Sequence, residues 1–86
     1  MIITYSRIFK KMFMKKDAWV QEKFSERLSL FVQNKNYSLL NNHSLDGVWA
    51  GCRSIDITGD FRAVYEELGY DHFEFVALGT HSELYS

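Results

Sequence analysis

The chain has 86 residues, of which 47% are hydrophobic and 16% aromatic, so residues 1–86 are expected to form one domain with a small core. No run approaches the roughly 18 apolar residues of a membrane-spanning helix, and the first residues lack the charged and then apolar order of a signal peptide. A cytoplasmic protein that does not enter a membrane is expected. The single cysteine, Cys52, excludes an internal disulfide and is interpreted as a small buried hydrophobe.

Charge is distributed unevenly along the chain, although the net charge is only −1. Residues 1–35 contain eight Lys or Arg and three carboxylates, giving +5, whereas residues 36–86 contain two Arg and eight carboxylates, giving −6. The basic half could follow a phosphate backbone. The alternative is that its lysines and arginines form ordinary solvated helix faces.

The first half of the chain predicts a short strand followed by two helices. Residues 2–5 are β-prone, and Ser6 and Asp17 are suitable N-caps for the two helices. In the second helix apolar residues recur at spacings of three and four, as in a helix that packs on a sheet. This stripe consists of Val20, Phe24, Leu28, Phe31 and Val32. Residues 34–42 are predicted to form the loop that leads to the second half.

The second half, which contains all five glycines, predicts three strands at 48–57, 61–68 and 72–78. Turns at 58–60 and 69–71 would join them into an antiparallel meander. With strand 2–5 at an edge, the predicted fold is α+β in the order βααβββ, a twisted antiparallel sheet with both helices on one face. Alternation places Arg62 opposite to Ala63 and Tyr65, where its charge needs solvent, an anion or Glu74 across the sheet.

Polar residues suited to proton transfer and phosphate contact cluster in three segments of this half. Residues 78–86 place His81 and Tyr85 four positions apart, while residues 42–53 supply His43 and residues 59–65 supply Asp60 and Arg62. Each has a plainer reading. His81 could bond a backbone carbonyl, Tyr85 could cap the core, Asp60 could only form a turn, and His43 could be an ordinary surface residue.

These segments resemble the RelE/ParE superfamily of bacterial toxins, most closely its YafQ-like ribonuclease branch. The resemblance lies in residues 43–86: a His before a Leu-x-Gly-x-Trp segment, an acidic residue at the next turn, and a Gly-Thr-His-x-x-Leu-aromatic end. The helical half fits only by pattern. The resemblance implies that His43, Asp60, His81 and Tyr85 are catalytic and that Arg62 contacts phosphate. Asp56 departs from the pattern, because YafQ-like toxins can have another histidine there.

The implied function is that of the toxin in a bacterial type II toxin–antitoxin module, forming a hetero-oligomer with a cognate antitoxin. The toxin would cleave mRNA, on the ribosome, as a metal-independent endoribonuclease without a cofactor. RNA contacts are expected from Lys10, Lys11, Lys15 and Arg53. The alternative is a non-catalytic binding protein with the same fold, or a ParE-like gyrase inhibitor, and the acidic C-terminal half favours it. A metal site is not expected, because His43, His72 and His81 lack ligand spacing.

Overall fold

The computed structural model describes residues 1–85, in which a five-stranded sheet is covered by helices on both faces. The strands are β1 (Ile2–Tyr5), β2 (His43–Ser44), β3 (Arg53–Asp56), β4 (Phe61–Gly69) and β5 (His72–Thr80), in the spatial order β1-β5-β4-β3-β2. The helices are α1 (Arg7–Met14), α2 (Ala18–Gln33) and α3 (His81–Tyr85), and Ser38–Leu40 and Gly47–Trp49 form 3₁₀ turns. The predicted α+β fold with two N-terminal helices is confirmed.

The two N-terminal helices pack on one face of the sheet through phenylalanine side chains. Ser6 caps α1 as predicted, because its Oγ accepts a hydrogen bond of 3.0 Å from the backbone N–H of Phe9. Asp17 is the N-cap residue of α2, but its side chain makes no capping hydrogen bond. Phe24 of α2 meets Phe75 of β5 edge to face, with ring centres 5.3 Å apart. Such aromatic pairs add about 0.5–1.5 kcal/mol beyond the area that they bury.

The sheet is mixed, which corrects the prediction of a wholly antiparallel one. Strands β3, β4 and β5 form the predicted antiparallel meander, but β1 is parallel to β5, with Ile2 opposite His72 and Tyr5 opposite Phe75. No hairpin joins β1 to β5, so no local turn fixes their orientation. The parallel arrangement places Tyr5 beneath α1, where its ring stacks on Phe9 at 5.3 Å.

Strand β3 is shorter than the predicted strand 48–57, because the chain turns twice before it. Gly47 and Gly51 have φ angles of +66° and +90°, in the left-handed region that other residues adopt only with strain. Trp49 lies between them in a 3₁₀ turn. Its indole Nε1–H donates a 2.8 Å hydrogen bond to the carbonyl of Leu84 in α3. The turns therefore bring a residue that precedes β3 against the end of the described chain.

A second, smaller core lies on the face that α3 covers. Val64, Ala77 and Leu84 are buried there, with Trp49 and Cys52 packed against them. Cys52 packs against this core as a small hydrophobe but is only partly buried, not buried as predicted. Desolvation, followed by the charge of Glu66, raises the pKa of its thiol. Arg62 shares this face with Val64 by strand alternation, as predicted. Within residues 1–85, no helix has the length and apolar character needed to span a membrane.

Candidate active site

An open pocket of about 540 Å³ lies where β4 begins and β5 ends. Antiparallel pairing places Phe61 opposite Thr80 and Arg62 opposite Gly79, so the turn before β4 lies beside the helix that follows β5. The pocket is lined by Gly59, Asp60, Arg62, Thr80, His81 and Ser82. Three residues that the sequence predicts to be catalytic, Asp60, Arg62 and His81, therefore meet in one pocket.

The guanidinium of Arg62 is held on two sides. Its Nε lies 2.9 Å from Oδ1 of Asp56, and its Nη1 donates to the backbone carbonyls of Thr58, Gly59 and Phe61 at 3.1, 3.0 and 3.2 Å. Oδ1 receives no well-aligned hydrogen bond from residues 1–85 despite the short distance, so its contact with Arg62 is an ion pair rather than a directed hydrogen bond. The partner of Arg62 is thus Asp56, not the Glu74 considered from the sequence.

The carboxylate of Asp60 is exposed, although its backbone helps to form the turn before β4. The backbone N–H of Asp60 donates to Oγ1 of Thr58 at 3.2 Å, and that of Phe61 donates to the same oxygen at 3.0 Å. Thr58 and the main chain therefore stabilise the turn. The Asp60 side chain makes no hydrogen bond within residues 1–85 and remains available to a ligand.

Helix α3 is fixed to the end of β5 by a capping box that the sequence analysis missed. The backbone N–H of Thr80 donates to Oε1 of Glu83 at 2.8 Å, and the backbone N–H of Glu83 donates to Oγ1 of Thr80 at 3.2 Å. A Cβ atom on Gly79 would lie 3.1 Å from Glu83, so glycine permits this close approach. The Thr-x-x-Glu spacing of residues 80–83 is visible in the sequence and could have predicted the helix.

Glu83 also links α3 to the end of α1. Its Oε2 accepts a 3.0 Å hydrogen bond from Nζ of Lys16, which lies 5.9 Å from the ring centre of Phe61. The backbone N–H of Thr80, followed by the Lys16 ammonium, holds the pKa of the Glu83 carboxyl below its usual value. Lys16 is one of the eight basic residues of residues 1–35, and its contact with Glu83 helps to position α3.

His81 and Tyr85 occupy one side of α3, because residues four apart lie on the same face of a helix. Their ring centres are 4.7 Å apart with the planes inclined by 42°. Both side chains are exposed, and the His81 ring makes no hydrogen bond within residues 1–85. Leu84, which precedes Tyr85, is buried, and its carbonyl accepts a hydrogen bond from the indole N–H of Trp49. The helix is therefore anchored through Leu84 and presents His81 and Tyr85 outward.

His43 lies apart from this group, on the edge strand β2. It is opposite Ser54 of β3, which in turn is opposite Val64 of β4, so His43 shares the sheet face of Arg62 but is separated from it by β3. Its Nδ1 lies 2.8 Å from the carbonyl oxygen of Asn41, and the ring is exposed. His43 does not line the pocket. A bound ligand would have to extend across β3 to contact it.

The predicted RNA-binding residues lie in two places. Lys10, Lys11 and Lys15 are exposed on α1 or at its end. Arg53 is on the sheet face opposite Arg62, because it pairs with Tyr65 on the face that α1 and α2 cover. Its Nε donates to Oδ1 of Asn42 at 2.9 Å, and Asn42 also contacts the hydroxyl of Tyr65 at 2.8 Å. The geometry engages Arg53 in a network beneath the helices and does not bring it to the pocket.

No three His, Cys, Asp or Glu side chains within residues 1–85 are grouped in a way that could hold a metal ion. The ionisable side chains of the pocket are Asp60, Arg62 and His81, with Asp56 beside Arg62 and Tyr85 beside His81, and Thr80 and Ser82 also line it. Proton transfer, hydrogen bonding and charge neutralisation are the chemistry that these groups provide.

Solved structures show the same fold. YafQ from E. coli strain BL21(DE3) is 24% identical, with a TM-score of 0.77 over 98% of this chain and 97% of that one. The YoeB/ParE toxin from Agrobacterium tumefaciens is 22% identical, with a TM-score of 0.77 over 94% of this chain and 99% of that one. The E. coli DinJ–YafQ complex contains a chain that is 25% identical, with a TM-score of 0.75 and coverage of 98% and 97%.

A search of curated proteins finds no match to this sequence. The family described as "Bacterial toxin of type II toxin-antitoxin system, YafQ" matches residues 1–86. The match extends through the helical half, for which the sequence showed only a pattern, as well as the strands and the C-terminal motif. The chain therefore belongs to the YafQ family of bacterial type II toxins.

Proposed function

We propose that this toxin is a metal-independent endoribonuclease that cleaves mRNA on the ribosome and so inhibits translation in the cytoplasm. The observation that supports the proposal most is the convergence of Asp60, Arg62 and His81 on one open pocket, with Tyr85 beside His81. Such a reaction removes a proton from a ribose 2′-hydroxyl, stabilises added charge on the phosphate, and protonates the 5′-oxygen that leaves.

The residues of the pocket suit these three tasks. His81 acts as general acid or base, since an imidazole exchanges protons near neutral pH. Arg62 stabilises the charge of the transition-state phosphate, and Asp60 accepts or orients a proton near it. Tyr85 stacks on a nucleotide base or shares the base role. His43 joins the proton network only if the RNA lies across β3, which makes it the least supported of the five.

The proposed RNA path continues from the pocket toward α1. Lys16 joins the end of α1 to α3 through Glu83, so the exposed Lys15 lies at the end of the helix nearest the pocket. Lys11 is one helical turn further along, and the two ammonium groups could contact successive phosphates. Arg53 has no part in this path, because it lies beneath the helices on the other face.

We also propose a cognate antitoxin as the protein partner, forming a hetero-oligomer with the toxin. The DinJ–YafQ complex is the support from a relative. In this chain, an apolar groove of about 400 Å³ between β1, α1 and α2 offers a surface for the partner. The groove is lined by Tyr5, Phe9, Lys10, Phe13, Met14, Phe24, Ser25 and Leu28. An antitoxin segment with apolar side chains and carboxylates would match its rings and adjacent lysines.

A second candidate function is a toxin fold that binds partners without cleaving RNA, including a ParE-like inhibitor of gyrase. The ion pair of Arg62 with Asp56 favours it, because a neutralised arginine stabilises an added negative charge less well. The −6 charge of residues 36–86 would also oppose RNA approach. A wild-type protein that binds an antitoxin but does not cleave mRNA would support this candidate over the nuclease.

The experiment compares wild-type protein with His81→Gln and His72→Gln in a purified translation system containing a reporter mRNA and EDTA-treated toxin. His81→Gln should lower the cleavage rate by about a hundredfold to ten-thousandfold, the usual range for loss of an acid or base. His72 bonds to Thr4 at the far end of β5, so its variant controls for the loss of an imidazole elsewhere. Cleavage at the wild-type rate by folded His81→Gln would refute the catalytic assignment.

A further inference from the structure

The two edges through which Arg62 could bind a phosphate with paired hydrogen bonds are both engaged. A guanidinium presents one such fork from Nε and Nη2 and another from Nη1 and Nη2. Asp56 lies against Nε at 2.9 Å, and three backbone carbonyls surround Nη1. Only Nη2 has no partner within residues 1–85. Within these residues Arg62 therefore has one nitrogen without a partner rather than a free fork.

The contacts on the two sides of Arg62 differ in how easily they can be displaced. The carbonyls of Thr58, Gly59 and Phe61 belong to the turn before β4, so they hold Nη1 as long as the turn is folded. The Asp56 side chain is partly exposed, and its Oδ1 receives no well-aligned hydrogen bond within residues 1–85. An anion that competes for Nε would therefore displace Asp56 and leave the carbonyl contacts in place.

The charges of the side chains around Arg62 also oppose phosphate binding. Asp60 and Arg62 line the pocket and Asp56 pairs with Arg62, so these three side chains carry two negative charges and one positive charge. Lys16 does not offset this, because Glu83 already pairs with it. A phosphate entering the pocket consequently meets a net negative set of side chains and must also compete with a carboxylate for its only arginine.

We infer that Asp56 occupies the phosphate-binding edge of Arg62 and thereby restrains RNA binding at this pocket. This inference rests on the proposed function only in naming RNA as the ligand. Removal of the Asp56 charge should strengthen RNA binding, whereas removal of a residue that merely orients Arg62 should weaken it. The three carbonyls are expected to hold Arg62 in place without Asp56. If Asp56 were instead needed to orient Arg62, the same substitution would weaken RNA binding, so the two roles predict opposite results.

The test measures the affinity of a short 2′-O-methyl RNA, which cannot be cleaved through its 2′-oxygens, by the wild-type protein and Asp56→Asn. The amide has nearly the shape of the carboxylate without its charge, and Asp56→Ser is a second neutral variant. Both should bind roughly three- to tenfold more tightly in low salt. Glu67→Gln is the matched control. Glu67 is also a paired carboxylate, 3.6 Å from Lys35, but at the far end of β4.

A double-mutant cycle with Arg62→Met separates competition for the arginine from general repulsion. If Asp56 acts on Arg62, the gain from Asp56→Asn should largely disappear in the Arg62→Met background. An equal gain in both backgrounds, a gain shared by Glu67→Gln, unchanged binding or weaker binding would each overturn the inference. Cleavage of reporter mRNA is measured separately. If the variants change RNA affinity as expected but the wild-type toxin does not cleave RNA, the proposed nuclease function is refuted and the inference about Asp56 stands.

Discussion

At Arg62, three turn carbonyls and one carboxylate fix a side chain whose strand neighbours, Ala63 and Val64, are fully buried. The arginine consequently loses little further side-chain entropy when it meets a phosphate. Its role in the proposed reaction depends on positive charge, and its placement depends on the guanidinium shape. Substitutions that separate charge from shape can therefore test it.

We predict that Arg62→Lys retains part of the RNA cleavage rate and that Arg62→Met retains almost none. Lysine keeps the charge, but a single ammonium cannot bond the three carbonyls and face the pocket at once. Loss of one group that stabilises transition-state charge typically costs about a hundredfold to a thousandfold in rate. Initial rates on reporter mRNA are the measurement, with the exposed Arg7→Lys and Arg7→Met as controls. Equal rates for Arg62→Met and wild type would leave Arg62 with a structural role only.

Site residues can be predicted from the sequence where local chemistry determines their position. Contacts that depend on the strand register cannot. Asp60, Arg62 and His81 could be selected from the sequence because turn, strand alternation and motif each constrain one of them. The partner of Arg62 could not, since Asp56 and Glu74 are both carboxylates on neighbouring strands. Only the register that places Asp56 opposite Arg62 and Glu74 opposite Glu66 resolves the choice.

At the scale of elements, α3 determines how His81 and Tyr85 face solvent. Five residues are too few for a helix that is stable by itself, so the surrounding contacts must hold it. Leu84 is buried, Trp49 bonds the last turn, and Glu83 bonds both Thr80 and Lys16. Loss of any one of these contacts should affect the position of His81 as well as stability.

We predict that Glu83→Ala lowers the free energy of unfolding by about 1 kcal/mol and that Glu83→Gln lowers it by less than half as much. Glutamine can still accept from the Thr80 N–H and so keeps the capping box, but it loses the ion pair with Lys16. Alanine loses both. Urea unfolding at pH 7 measures the difference. Equal destabilisation by the two variants would show that the ion pair, rather than the cap, is what matters.

The pH dependence of the same comparison follows from the lowered pKa of Glu83. A carboxyl whose folded pKa is below its unfolded value, about 4.3 for glutamate, stabilises the protein above that pH. This stabilisation is lost as the pH falls through the folded pKa. We therefore expect the stability gap between wild type and Glu83→Gln to be present at pH 7 and to close progressively below about pH 4.3. A gap of unchanged size as the pH is lowered below about 4.3 would contradict the assignment.

The sequence predicted most elements, and its failures have a common physical cause. Helices α1 and α2 and strands β4 and β5 follow from caps, apolar spacing and turns, all of which are local. The parallel pairing of β1, the shortening of β3 and the contact of Trp49 with Leu84 depend on residues distant in the chain. Helix α3 is the exception, because its capping box is local and could have been recognised.

At the scale of the whole molecule, the two surfaces proposed for RNA and antitoxin are joined by α1. The open pocket lies at one end of the sheet, beside Lys16 and α3, and the apolar groove lies between β1, α1 and α2. Lys10 lines the groove, and the exposed Lys11 and Lys15 lie on the same short helix and at its C-cap. An antitoxin segment in the groove would therefore lie close to the lysines proposed to contact RNA.

We predict that Lys11→Glu combined with Lys15→Glu weakens antitoxin binding, chiefly by slowing association at low salt. Apolar contacts in the groove would be unchanged, while two attractive charges would become repulsive to an acidic partner. Such steering weakens as salt shortens the range of electrostatic interaction, roughly 30 Å at 0.01 M and 10 Å at 0.1 M. Lys23→Glu with Lys35→Glu makes the same charge change at two lysines that do not line the groove and is the control. Association rates across a salt series are the measurement.

If both double variants slow association equally, net charge alone is responsible. If neither does, the antitoxin docks elsewhere and Lys11 and Lys15 contact RNA or solvent instead.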